Sequence, residues 1–255
     1  MFEVFKKSDY DEHRDKKKRT EKGMNLLEVR EKRITIEVGT RGITSGVLVS
    51  PMEEHKRVAV IVAHGAGNDM NTPLITSFSR GLAALGFPVL RFNFLYAERG
   101  RKAPDKQEIL VQTWESAFRF AREELGRKVD TWIAAGKSMG GRVASQMVAD
   151  NLLPVHGLVF LGYPLHPAGD HEKLRDTHLY RITQSMLFFA GTRDPLCNME
   201  KFNWVLSHLQ APREFFVIDG GDHSFHVPKS TGLTEQEIYG QIIRVTNKWL
   251  LRTFA

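Results

Sequence analysis

Apolar and polar positions along the chain follow two rhythms that take turns. Arg33-Ile34-Thr35-Ile36-Glu37-Val38 alternates apolar and polar side chains, the mark of a half-buried strand. Residues 39–42 turn it back, and residues 44–50 read as its hairpin partner. Residues 57–63 are then almost wholly apolar, which fits a strand covered on both faces of a parallel sheet. Runs of the same kind recur at 87–94, 131–135, 156–164, 185–191 and 213–219. Between them lie segments with apolar residues at helical spacing, at 72–85, 107–125, 142–150, 199–209 and 234–254. This alternation predicts right-handed βαβ units in an α/β fold, with a mainly parallel sheet of about eight strands and helices on both faces. Residues 95–105 read as a polar loop. Residues 165–184 read as a long connection with a short helix near His178-Leu179-Tyr180. There is no internal repeat and no second core, so residues 29–255 read as one domain behind a polar extension over residues 1–28.

Composition narrows the setting. A chain of 255 residues can bury the core of one large α/β domain. At 42% hydrophobic and 26% charged residues it has the balance of a globular rather than a disordered chain. The longest apolar runs are strand-sized, and the N-terminus lacks the apolar region of a signal peptide, so no membrane partner is expected. One cysteine, Cys197, excludes an internal disulfide and suits a reducing compartment, and the expected location is cytoplasmic. The net charge of +6 is spread out, and acidic residues flank its one basic cluster, Lys16-Lys17-Lys18-Arg19. A nucleic acid is therefore not the expected partner; a solvated tail accounts for the cluster.

Chemistry concentrates where the strands end. In Gly136-Lys137-Ser138-Met139-Gly140, a serine stands between two glycines at a strand-to-helix junction, the pattern of a nucleophile elbow. Asp194 follows the 185–191 strand and His223 follows the 213–219 strand. In a mainly parallel sheet these positions share the carboxyl edge, where ligands bind. The chain order Ser, Asp, His is one in which a nucleophile triad occurs. In that reading His223 takes the Ser138 proton and later returns it to the leaving group, while Asp194 holds the imidazole in one tautomer. Donors for the oxyanion, each worth about 3–4 kcal/mol in the transition state, would be the amide of Met139 and one from His64-Gly65-Ala66-Gly67, with Ala66 ahead of Gly67. Each piece has a plainer rival. Ser138 can be only a helix N-cap, Asp194-Pro195 only a turn, and His64 only a loop anchor. His226 competes with His223, and Asp222 with Asp194.

Two other motifs fail on spacing. Gly136-Lys137-Ser138 resembles the end of a phosphate-binding loop, but Thr131 stands where that motif needs glycine. Gly65-Ala66-Gly67 begins a dinucleotide fingerprint, but Met70 stands at its third glycine. His166 and His171, with Asp170 and Asp176 nearby, lack zinc spacing. No cofactor and no metal are expected. Tyr96, Tyr163 and His166 are the side chains expected to line a substrate pocket, left fairly open by the short connection at 165–184.

Several segments resemble one branch of the α/β-hydrolases. These are Ala63-His64-Gly65-Ala66-Gly67, the run from Asn93 to Asp105, the run from Gly136 to Arg142, Tyr163-Pro164-Leu165-His166-Pro167, Lys173-Leu174-Arg175-Asp176, and the run from Gly191 to Cys197. The branch is a bacterial family of predicted hydrolases related to dienelactone hydrolases. Its eukaryotic relatives include a testis-expressed hydrolase-like protein and the third subunit of the NSL histone acetyltransferase complex. The resemblance spans residues 33–254 and implies the α/β-hydrolase fold and a serine hydrolase acting on an ester, thioester or similar small acyl compound. It does not imply lactone specificity, because dienelactone hydrolases proper use a cysteine where Ser138 stands. The complex subunit also suggests an alternative, an interaction module on a hydrolase scaffold.

Overall fold

The computed structural model describes residues 2–5 and 26–254. The elements run β1 (Phe2–Phe5), β2 (Val29–Glu37), β3 (Ile43–Pro51), β4 (Val58–Ala63), α1 (Pro73–Ala84), β5 (Val89–Phe92), α2 (Leu95–Glu98) and α3 (Gln107–Leu125). They continue β6 (Thr131–Lys137), α4 (Met139–Ala149), β7 (Gly157–Leu161), β8 (Ser185–Gly191), α5 (Met199–His208), β9 (Arg213–Ile218) and α6 (Glu235–Phe254). The strands form one sheet in the order β1-β9-β8-β7-β6-β4-β5-β3-β2. The β2–β3 hairpin and the β3–β5 pair are antiparallel, and every other pair is parallel.

The apolar runs predicted a sheet buried on both faces, and period-two geometry splits each run between two cores. Ala59, Ile61 and Ala63 of β4 face one side with Trp132, Phe160, Phe188 and Trp114. Val58, Val60 and Val62 face the other with Ile133, Val159, Phe78 and Trp249. Helices α3, α4 and α5 cover the first face, and α1 and α6 cover the second.

The elements depart from the sequence reading at two places. Residues 95–105 are not loop throughout. They open with the single turn α2, which carries Leu95 and Tyr96 into the core. At the N-terminus, Phe2–Phe5 pairs in parallel with Arg213–Ile218 and extends the sheet beyond the eight strands that begin at Val29. Four residues are too few to show a period, so the extension read as uniformly polar. The rest of that extension, residues 6–25, lies outside the described residues.

Candidate active site

The site begins with the turn between β6 and α4. Ser138 sits at φ 51° and ψ −115°, a backbone conformation that side chains with a Cβ rarely adopt. The close packing of the turn demands glycine on either side. A Cβ on Gly136 would lie 2.2 Å from the Gly141 nitrogen, and one on Gly140 would lie 2.6 Å from the His64 carbonyl oxygen. Helix α4 is thereby pressed against the ends of β6 and β4. Parallel pairing of Ala63 with Gly136 sets the 64–67 loop directly beside the elbow.

Ser138, His223 and Asp194 come together. His223 Nδ1 lies 2.7 Å from Asp194 Oδ2, and His223 Nε2 lies 2.8 Å from Ser138 Oγ. The carboxylate can only accept, so Nδ1 carries the proton and Nε2 is left to accept from the serine hydroxyl. The second oxygen of Asp194 accepts the Leu196 amide at 2.8 Å, which fixes the carboxylate from both sides. The Asp194 side chain is wholly buried while His223 remains partly exposed. The rival residues face elsewhere. Asp222 accepts the amides of Ser224 and His226, and His226 points to Asp222 and Glu235.

A cavity of about 530 Å³ opens over Ser138, with Met139 and Ala66 in its wall. Gly67 does not border it. His64 is buried and accepts the Phe94 amide at Nε2, so its Nδ1 donates to the Gly65 carbonyl. Burial holds its pKa below the usual histidine value. It therefore clamps the loop to the end of β5 in one tautomer.

The three side chains expected in the pocket lie outside it. Tyr96 is buried beside His64 and donates to the Gly65 carbonyl at 3.0 Å, and burial lifts its phenol to about 12. Tyr163 is buried against Phe202 and Phe188, and its hydroxyl donates to the Arg175 carbonyl at 2.5 Å. His166 accepts the Asn198 amide at 2.9 Å, bonds the Pro167 carbonyl through Nδ1, and stacks on His171. All three are supports beneath the cavity, because aromatic area gains more from core packing than from an open wall. No group of three or more His, Cys, Asp or Glu among the described residues is arranged to hold a metal ion.

Besides Ser138, Met139 and Ala66, the cavity is bordered by residues to which sequence reasoning gave no role. Pro167, Ala168 and Arg175 come from the long connection at 165–184, and Arg142 comes from the first turns of α4. Beneath them Ser145 Oγ donates to the Arg142 carbonyl and lies 2.8 Å from His178 Nε2, which is also 3.3 Å from the Tyr163 hydroxyl. Burial, with Arg142 and Arg181 nearby, pushes His178 down to about 4, so it is neutral at pH 7. The Nζ of Lys137 is buried, over the Phe225 ring at 5.9 Å and without a hydrogen-bond partner. Burial lowers it to about 8 against the pull of Asp194 and Asp222. The available signal was charge at Lys137 and Arg142, inside a turn whose other members are small or apolar.

The profile of a family described as "Alpha/beta hydrolase domain" matches residues 56–251. Among solved structures, an alpha-beta serine hydrolase homologue from Coxiella burnetii superposes with a TM-score of 0.68 at 21% identity, covering 84% of this chain and 96% of that one. A dienelactone hydrolase from Anabaena variabilis gives 0.67 at 18% identity, covering 88% and 98%. An α/β serine hydrolase without lid from Xanthomonas campestris gives 0.66 at 20% identity, covering 88% and 97%.

Proposed function

Because the chain belongs to the alpha/beta hydrolase domain family, we propose that it is a serine hydrolase that cleaves a carboxylic ester, thioester or related small acyl compound. The observation that carries this reading is the continuous chain Ser138–His223–Asp194, hydrogen-bonded at 2.8 and 2.7 Å and opening onto the cavity. Ser138 attacks the acyl carbon as His223 Nε2 takes its proton. The amide of Met139, in the first turn of α4 and free of an intrahelical acceptor, receives the oxyanion together with that of Ala66. His223 then protonates the departing alcohol or thiol, and water repeats the cycle on the acyl-enzyme. Asp194 holds the imidazolium that forms at each step.

Ser138→Ala tests the reading directly. Turnover of p-nitrophenyl butyrate should fall by about a thousandfold or more, with the thermal midpoint unchanged within a few degrees. A fluorophosphonate probe should label wild type at Ser138. Unchanged turnover together with absent labelling sinks the proposal and leaves an interaction module on a hydrolase scaffold.

A further inference from the structure

Two arginines face the cavity that Ser138 faces, and neither has an anionic partner. Arg142 Nη1 lies 3.3 Å from the Gln146 side-chain oxygen, and Arg175 Nη1 lies 3.3 Å from the Pro164 carbonyl. Both are neutral acceptors at the long end of hydrogen bonding. Neither guanidinium pairs with a carboxylate among the described residues. Both are only half exposed. They also feel each other: burial depresses the Arg142 pKa, and the charge of Arg175 depresses it further. Asp105, which borders the same cavity, pairs with Arg101 through Oδ1 at 2.5 Å, and its buried Oδ2 bonds to neither arginine.

From this we infer that Arg142 and Arg175 hold an anionic group of the substrate, so that the acyl compound cut at Ser138 carries a carboxylate or phosphate. The inference rests on the hydrolase reading above and gives it a substrate class. Two like charges on a half-desolvated wall are costly when empty and are relieved by one anion between them. The guanidinium fork matches both carboxylate and phosphate in a bidentate way that lysine does not.

The surroundings hold the pair in place. The Arg142 carbonyl accepts from Ser145, the Arg175 carbonyl accepts from Tyr163, and His178 lies within hydrogen-bond reach of both donors. This buried network ties the α4 turn that carries Arg142 to the connection that carries Arg175. Pro167 and Ala168 add apolar wall, so the cavity joins one charged region to one greasy one beside the nucleophile.

Matched ester pairs test the inference. On the acyl side, the aryl monoester of adipate is compared with the aryl ester of hexanoate. On the alcohol side, 4-carboxyphenyl butyrate is compared with its methyl ester. In one of the pairs the anionic member should lead by about tenfold or more in kcat/KM at low salt. In Arg142→Gln and in Arg175→Gln that ratio should fall toward one, while Arg142→Lys should keep part of it. Glutarate and inorganic phosphate, used as competitive inhibitors of p-nitrophenyl butyrate, tell carboxylate from phosphate, and whichever matches should weaken in the Gln variants. Preference for the neutral member in both pairs overturns the inference, as does a ratio unchanged by both substitutions. If wild type turns over no ester and the probe leaves Ser138 unlabelled, it is the hydrolase reading that fails. Calorimetric titration of glutarate and phosphate into wild type and Arg142→Gln then decides the anion site alone. Binding lost in the variant supports it, and no binding to wild type overturns it.

Discussion

Lys137 holds its charge in an unfavourable position. Its Nζ is buried without a hydrogen-bond partner, and what opposes full deprotonation is the distant pull of Asp194 and Asp222. The sign of its effect on stability follows from linkage. The folded group releases its proton near 8, whereas the unfolded chain holds it to about 10.5, so between these values the unfolded state binds more protons. Stability should therefore rise as pH goes from 8 to 10, which urea denaturation at the two pH values measures. Lys137→Met should remove that rise and stabilise the protein at neutral pH by up to about 3 kcal/mol, the value of the shift at 1.36 kcal/mol per unit. A variant that melts earlier than wild type at pH 7 would show that the ammonium is well accommodated.

The β6–α4 turn depends on atoms its neighbours lack. Gly136→Ala would drive a Cβ into the backbone of Gly141, which has no rotamer with which to yield. The expected loss is about 3 kcal/mol or more, with ester turnover lost at temperatures where the variant still folds, because the strained φ of Ser138 and the Met139 amide move together. The connection between β7 and β8 depends instead on a buried polar network. His178 stays neutral in the fold down to about 4, while the unfolded chain takes up a proton near 6.5. The unfolded state again binds more protons in this window, so acidification from 7 to 4 should cost about 2–3 kcal/mol from this group. His178→Asn should flatten that part of the pH–stability curve, as chemical denaturation at pH 7 and 4.5 would read. Such a slope left intact in the variant assigns it to other groups.

Across the whole molecule, the Ser138–His223–Asp194 cluster sits at the carboxyl ends of the strands and the N-terminus along an outer strand. Strand β1 covers the outer edge of β9, the strand that leads to His223. We propose that residues 1–25 are an extension whose removal leaves the catalytic edge intact. Deletion should retain ester turnover per folded molecule within about twofold. It should also bare the β9 edge and promote self-association, since an unpaired strand edge is a template for pairing. Size-exclusion chromatography with light scattering and titration of active serines test both parts, and loss of turnover in a monomeric, folded deletion variant would contradict the division.

Much of this was legible before any coordinates. Long apolar runs of strand length, separated by helical periods, specify a sheet buried on both faces, because that is the arrangement in which such strands hide both sets of side chains. Ser138, Asp194 and His223 could be named because each lies three or four residues beyond such a run, and strand ends in a parallel sheet meet at one edge. Local pattern also set the need for glycine around Ser138. What it could not settle was direction in three dimensions. Tyr96, Tyr163 and His166 stand near strand ends, yet their side chains turn inward, because a single-turn helix and a buried hydrogen-bond network outweigh sequence proximity. Arg142 and Arg175 are 33 positions apart and became neighbours only when the β7–β8 connection folded back over α4. Periodicity and spacing therefore determined the architecture and which of Ser138, Asp194 and His223 would meet at one edge, since these depend on short-range order and on a general rule of sheet topology. Only the tertiary structure decided the walls of the cavity, because contacts between segments distant in sequence are settled by packing and desolvation of the whole.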